Sequence, residues 1–127
     1  MKEWNSGLMA HLGMRFVEVG PDRVVAELDV RGELATVGGA VHGGALMALA
    51  DSCGAVCAFL NLPEGAAGTT TIESKTNLLR AVKEGTVTAT TTPLHRGRTL
   101  AVLETELRDR AGKLVAKTTQ SQAYLSG

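Results

Sequence analysis

Residues 42–62 read HGGALMALADSCGAVCAFLNL. Asp51 is the only charged residue between His42 and Leu62, and the run is rich in the helix formers Ala, Leu and Met. The stretch predicts one long helix from Gly43 to about Leu60, closed by Pro63-Glu64-Gly65. At about 100° per residue, Leu46, Leu49, Ala50, Cys53, Val56, Cys57 and Leu60 fall within an arc of about 120° that should pack on a sheet. The opposite side holds Gly44, Ala48, Asp51, Ala55 and Ala58, nearly all small. A helix that is apolar or small all round is buried on both sides, so a second element should cover the small face. Asp51 lies about 160° from the centre of the apolar stripe.

Outward from this helix the patterning changes. Met1 to Leu12 reads as a short helix with Trp4, Leu8 and Leu12 on one side. Met14 to Val19 and Arg23 to Val30 read as strands joined by Gly20-Pro21-Asp22, and Arg31 to Gly39 as a loop ending in Gly38-Gly39. Beyond the helix, Thr69 to Arg80, Thr86 to His95, Thr99 to Arg108 and Leu114 to Tyr124 are rich in Thr and Val. Ala101, Leu103, Thr105 and Leu107 alternate with Glu104, Glu106 and Arg108, as a half-buried strand requires. Tight connections fall at Lys83-Glu84-Gly85, Arg96-Gly97-Arg98 and Asp109 to Gly112. Two strands, a long helix and four strands make an α+β domain, with residues 1–127 read as a single unit.

The composition narrows the function. Lys plus Arg and Asp plus Glu balance at 13 each, which leaves no bulk basic field for nucleic acid or an anionic membrane. Two Phe, one Trp and one Tyr are too few for a base-stacking platform. The N-terminal MKEWNSGLMAHLG has no apolar run of signal-peptide length, which predicts a cytoplasmic protein. Asp51 and the glycines argue against reading Gly43 to Leu62 as a membrane span. Cys53 and Cys57 share a helix face as small buried hydrophobes, His11, His42 and His95 are far apart, and no Cys-x-x-Cys occurs; no metal is expected.

Chemistry concentrates at two points of the helix. Ala40-Val41-His42-Gly43-Gly44 leads into its N-terminus, where first-turn N–H groups lack helical partners and the dipole favours negative charge. Glycine lets a ligand approach that backbone, an arrangement suited to stabilising an oxyanion. Taken alone, His42 reads as a cap and Asp51 as the partner of an arginine or a neighbouring loop. Together they suggest a base and an oxyanion donor. Eight residues separate Gly43 from Asp51, about 12 Å along one helix, too far for both to serve one carbonyl. Two antiparallel copies touching through the Gly44/Ala48/Ala55 face would bring Gly43 of one chain toward Asp51 of the other, in a two-fold dimer.

The motif HGGALMALAD, in which Asp51 follows Gly44 by seven residues, resembles the hotdog-fold acyl-CoA thioesterases of the phenylacetate-pathway (PaaI-like) branch. Leu79-Arg80-Ala81, Arg96-Gly97-Arg98-Thr99-Leu100 and Gly112-Lys113-Leu114-Val115-Ala116 add weaker likeness, and the resemblance spans roughly residues 7–125. It implies a long helix wrapped by an antiparallel sheet, in a homodimer that pairs again into a homotetramer. It implies Asp51 as general base or nucleophile, the Gly43 amide on the thioester oxygen with Gly44 beside it, and His42 orienting the thioester. A hydroxyl on the next strand, best matched by Thr71, would hold the attacking water. Where many relatives carry Asn or Gln, six residues before the histidine, this chain has Thr36. Arg80, Lys83, Arg96 and Arg98 are candidates for the coenzyme A phosphates. No separate cofactor is implied, coenzyme A being part of the substrate. The acyl chain could meet Met47, Phe59, Leu62 or Leu78.

The expected activity is hydrolysis of an acyl- or aryl-CoA thioester to free acid and CoA. One alternative is a hotdog hydratase or dehydratase, which resembles these enzymes but sets a His and an acid for proton abstraction at carbon; here His42 abuts the glycines instead. The other is a non-catalytic acyl-CoA-binding sensor. Thiol release from a thioester separates all three.

Overall fold

The computed structural model describes residues 4–126. Its elements are α1 (Gly7–Leu12), β1 (Arg15–Val19), β2 (Val24–Asp29), α2 (Gly43–Phe59), β3 (Ala66–Leu78), β4 (Thr86–Arg96), β5 (Leu100–Arg108) and β6 (Leu114–Ser126). The strands form one antiparallel sheet in the order β1-β2-β4-β5-β6-β3. Helix α2 lies on one face and touches every strand from β2 to β6.

The expected helix is present and ends one residue early. Its buried residues include Leu46, Leu49, Ala50, Cys53, Val56 and Cys57, while Leu60 packs half-buried at the edge of the core. Burying an aliphatic side chain of this size contributes about 1.5–3 kcal/mol, so this stripe and the inward Leu28, Val87, Leu103 and Leu107 supply most of the cohesion.

Two expectations about the helix need correction. Ala58, assigned to the small face that a second element should cover, is instead fully buried against the chain's own sheet, with the Tyr124 hydroxyl donating to its carbonyl at 2.9 Å. Asp51, assigned to the side away from the sheet, meets β3 and β6. A flat sheet could not reach that far round a helix. A twisted one coils about it, so its last strands arrive on the flank opposite β2 and β4. Gly44 stays exposed, and Ala48 and Ala55 are half-buried.

The N-terminal helix is shorter than expected. It runs from Gly7 to Leu12 and stops at Gly13, which takes a left-handed φ of 81°. Met1 to Glu3, the start of the expected helix, lie outside the described residues. Trp4 stacks edge-on against Phe59 with ring centroids 5.4 Å apart, pinning the segment across the C-terminal half of α2. The loop before α2 contains a 3-10 turn at Gly32–Leu34 and a bridge between Ala35 and Val41 that aims the chain into the helix.

Strands β3 and β6 also differ from expectation at their ends. They pair along their whole length, Ala66 with Ser126 at one end and Leu78 with Ala116 at the other. Mutual pairing rather than propensity sets where each stops. A register shift lies between Thr71 and Glu73. It changes the alternation, so that Thr71 before it and Ser74, Thr76 and Leu78 after it stand opposite Gln122, Gln120, Thr118 and Ala116, the same face of β6. Across the sheet Thr91, Thr105, Thr118 and Thr76 form one row of neighbours. Their hydroxyls pair at 2.6 Å (Thr91 with Thr105) and 2.7 Å (Thr76 with Thr118), which offsets the desolvation of burying them.

Candidate active site

Among the described residues, one backbone N–H in the first turn of α2 is left unengaged. His42 is the N-cap, and its Nδ1 accepts from the Gly44 N–H at 2.8 Å. The N–H groups of Ala45 and Leu46 both turn back to the His42 carbonyl. Gly44, expected to face substrate, therefore has its amide occupied. The Gly43 N–H has no acceptor among the described residues. Because Nδ1 accepts, the His42 imidazole carries its proton on Nε2, which makes no hydrogen bond among the described residues and can donate to a ligand.

Gly43 opens into a groove of about 320 Å³ formed with Val41, Leu78, Leu79, Arg80 and Ala81. A Cβ on Gly43 would sit 2.6 Å from the Leu78 Cδ1, so the glycine keeps this approach narrow.

The Asp51 carboxylate belongs to a different cavity. Its Oδ1 accepts from the Thr71 hydroxyl at 2.9 Å and, at the longer distance of 3.4 Å, from the Gln120 amide. Its Oδ2 accepts nothing from the described residues. Asp51 borders a cavity of about 300 Å³ with Trp4, Met9, Val56, Phe59 and Thr69, an apolar bowl with one acid on its rim. Gly43 and Asp51 line two different cavities. The regular helix between them keeps the separation near 12 Å.

Behind Asp51 stands a polar layer that the sequence reading missed. Gln120 and Gln122 are essentially fully buried on the inward face of β6. The Gln122 amide donates to the Thr71 oxygen, and its Oε1 accepts from the Thr69 hydroxyl at 3.0 Å. The Gln120 amide lies against Gly54, where a Cβ would fall 2.1 Å from its Oε1, and that oxygen has no hydrogen-bond partner among the described residues. The available signal was the alternation of β6, which puts Thr118, Gln120, Gln122 and Tyr124 in phase on one face.

The remaining candidates scatter. Thr36 is exposed, its oxygen accepting from the Gly38 N–H at 3.2 Å within a turn. Arg80 lies in the Gly43 groove. Arg96 is paired with Asp22 at 2.6 Å, beside the turn whose Pro21 carbonyl receives Asn61 after the helix C-terminus. Arg98 borders a small cavity with Thr99 and Tyr124, and Lys83 a surface groove with Asp109 and Arg110. Of the expected acyl contacts, Phe59 reaches the Asp51 cavity and Leu78 the Gly43 groove; Met47 is exposed.

Neither cysteine suits a nucleophile. Burial pushes the Cys53 thiol up to about 12 and that of Cys57 to about 11, so both stay protonated near neutrality. Among the described residues no three His, Cys, Asp or Glu side chains gather as a metal site. No described helix is long and apolar enough to cross a membrane.

An antiparallel six-stranded sheet curled round one long central helix defines a hotdog fold. The chain belongs to the thioesterase superfamily, whose family model matches residues 38–116, and it is a thioester hydrolase. It is 31% identical over 118 residues to the 1,4-dihydroxy-2-naphthoyl-CoA hydrolase of Escherichia coli K12, covering 93% of this chain and 86% of that one. The solved structure of thioesterase HI1161 from Haemophilus influenzae superposes with a TM-score of 0.91 at 28% identity, over 98% of this chain and 87% of that one. The fold is likewise that of the E. coli PaaI protein from the phenylacetic acid degradation operon, with a TM-score of 0.88 at 23% identity over 99% and 89% of the two chains.

Proposed function

We propose that the protein hydrolyses an acyl- or aryl-CoA thioester to free acid and CoA, at a site assembled from two chains. The observation that carries this reading is the Asp51 carboxylate, held through Oδ1 with Oδ2 free at the rim of an apolar cavity. The acyl group occupies that cavity beside Phe59 and Trp4. Asp51 acts as general base on a water, or alternatively attacks as a nucleophile, with Oδ2 the reacting oxygen in either case. Thr71 gives its one proton to Asp51 and accepts from Gln122, which leaves one lone pair to receive a hydrogen bond from the water. The Gly43 N–H, supported by the helix dipole, stabilises the developing oxyanion, and His42 Nε2–H is the second donor near it.

The split site is supported by β3, a 13-residue strand at the outer edge of the sheet with no neighbour on its far side among the described residues. A long open edge of this kind invites pairing with a second copy. Antiparallel pairing of two β3 strands about a two-fold between Ser74 and Lys75 sets Leu78 of one chain opposite Thr71 of the other. Leu78 adjoins Gly43, and Thr71 holds Asp51. One symmetric pairing thus brings the amide of each chain toward the acid of its mate. The nucleotide portion then leaves past the Gly43 groove and Arg80.

Incubating the purified protein with a series of acyl- and aryl-CoA thioesters and following free thiol tests the activity. Turnover that saturates with substrate is expected; no thiol release across the series would contradict the reading. Thr71→Ala should lower kcat/KM about tenfold, the worth of roughly one hydrogen bond, measured by the same assay. Arg80→Ala should raise KM for an acyl-CoA about three- to tenfold, yet leave a thioester lacking the nucleotide unaffected. The Arg96/Arg98 double alanine variant is compared in the same way. Equal effects on both substrates would exclude these residues as phosphate contacts.

A further inference from the structure

Beneath Asp51 the hydroxyl and amide groups form a chain with only one consistent direction. A carboxylate accepts and never donates, so the single Thr71 proton is committed to Asp51 Oδ1. Thr71 can then only accept from Gln122, which must present Nε2 to it. The opposite end of the same amide, Oε1, receives the Thr69 hydroxyl at 3.0 Å. Gln122 is wholly buried, and Thr71 stands opposite it in the β3–β6 ladder. An inward glutamine on a strand has no packing advantage over Leu or Met, so its polar ends need a use.

We infer that Gln122 is a positioning residue: by donating to Thr71 it fixes the Thr71 hydroxyl on Asp51 Oδ1, keeping Oδ2 free to react and one Thr71 lone pair aimed at the water. This rests on the proposed roles of Asp51 and Thr71. Thr69 completes the device by holding the amide's oxygen end away from Thr71.

The test is a double-mutant cycle in steady-state kinetics. Gln122→Met keeps the volume and orphans no proton, because Thr69 still has the Ala123 carbonyl at 3.1 Å and Thr71 still has Asp51. Expected is a fall in kcat of about tenfold, comparable to losing one hydrogen bond, with KM unchanged. In the Thr71→Ala background the same change should cause no further loss, because Gln122 acts through Thr71. Thr69→Val, which frees the Gln122 amide to turn, should show the same pattern at smaller amplitude and serves if Gln122→Met does not fold. Wild-type kcat in a folded variant, or losses that multiply with Thr71→Ala, would overturn the inference. If Asp51→Asn retained full activity, the functional reading itself would fall. If Asp51→Asn and Thr71→Ala lose activity while the Gln122 and Thr69 variants do not, only this inference falls.

Discussion

Asp51→Asn should fold normally and lose about 10²- to 10⁴-fold in kcat/KM, the range a general base typically contributes. The structure explains why the fold should survive. Asparagine keeps an acceptor oxygen where Thr71 and Gln120 donate to Oδ1. Its amide nitrogen would then take the place of Oδ2, to which no described residue donates a hydrogen bond. Only the oxygen free of those hydrogen bonds changes, from a proton acceptor to a donor. Steady-state kinetics beside a thermal melt check this. A melting temperature near that of the parent with nearly all turnover gone is expected. A purely structural Asp51 would show the reverse, a lowered melting temperature with kcat/KM per folded molecule intact.

Much of the fold was legible because its main signals are periodic. The run from Gly43 to Phe59 has no strong breaker, and its apolar residues recur at helical spacing, so the element and its buried stripe are readable from residues alone. The alternation in β5 is equally plain. Strand ends were less so, because β3 and β6 extend one another through pairing between residues 38 (Leu78 with Ala116) to 60 (Ala66 with Ser126) positions apart. The side of the helix that Asp51 faces was misread for a related reason. A helical wheel treats the sheet as flat, whereas twist carries β3 and β6 round to the acid.

The site was legible in part. His42, Gly43 and Asp51 stand out by spacing and by the cost of a charge inside an apolar helix. That Gly44 would be capped by His42 could not be read, because capping depends on the imidazole's orientation. Gln120 and Gln122 were overlooked among the Thr, Ser and Ala of β6, although alternation places them inward. Thr36 illustrates the opposite case: family likeness draws attention to the position, and the structure ties its hydroxyl into a local turn.

If Gly43 and Asp51 meet across two chains as proposed, subunit complementation will reveal it. Gly43→Val is the partner variant to Asp51→Asn. Its side chain would displace the carbonyl from the amide, while Leu78, half-exposed, can shift to admit it. Each homodimer then has two defective sites and should be inactive. A heterodimer pairs intact Gly43 from one chain with intact Asp51 from the other, and its second site carries both lesions. Co-refolding an equal mixture gives about half heterodimers by random pairing, each with one working site, so about a quarter of parental activity should return. If demonstrably exchanged and folded subunits remain inactive, the amide and the acid do not serve one thioester across the interface.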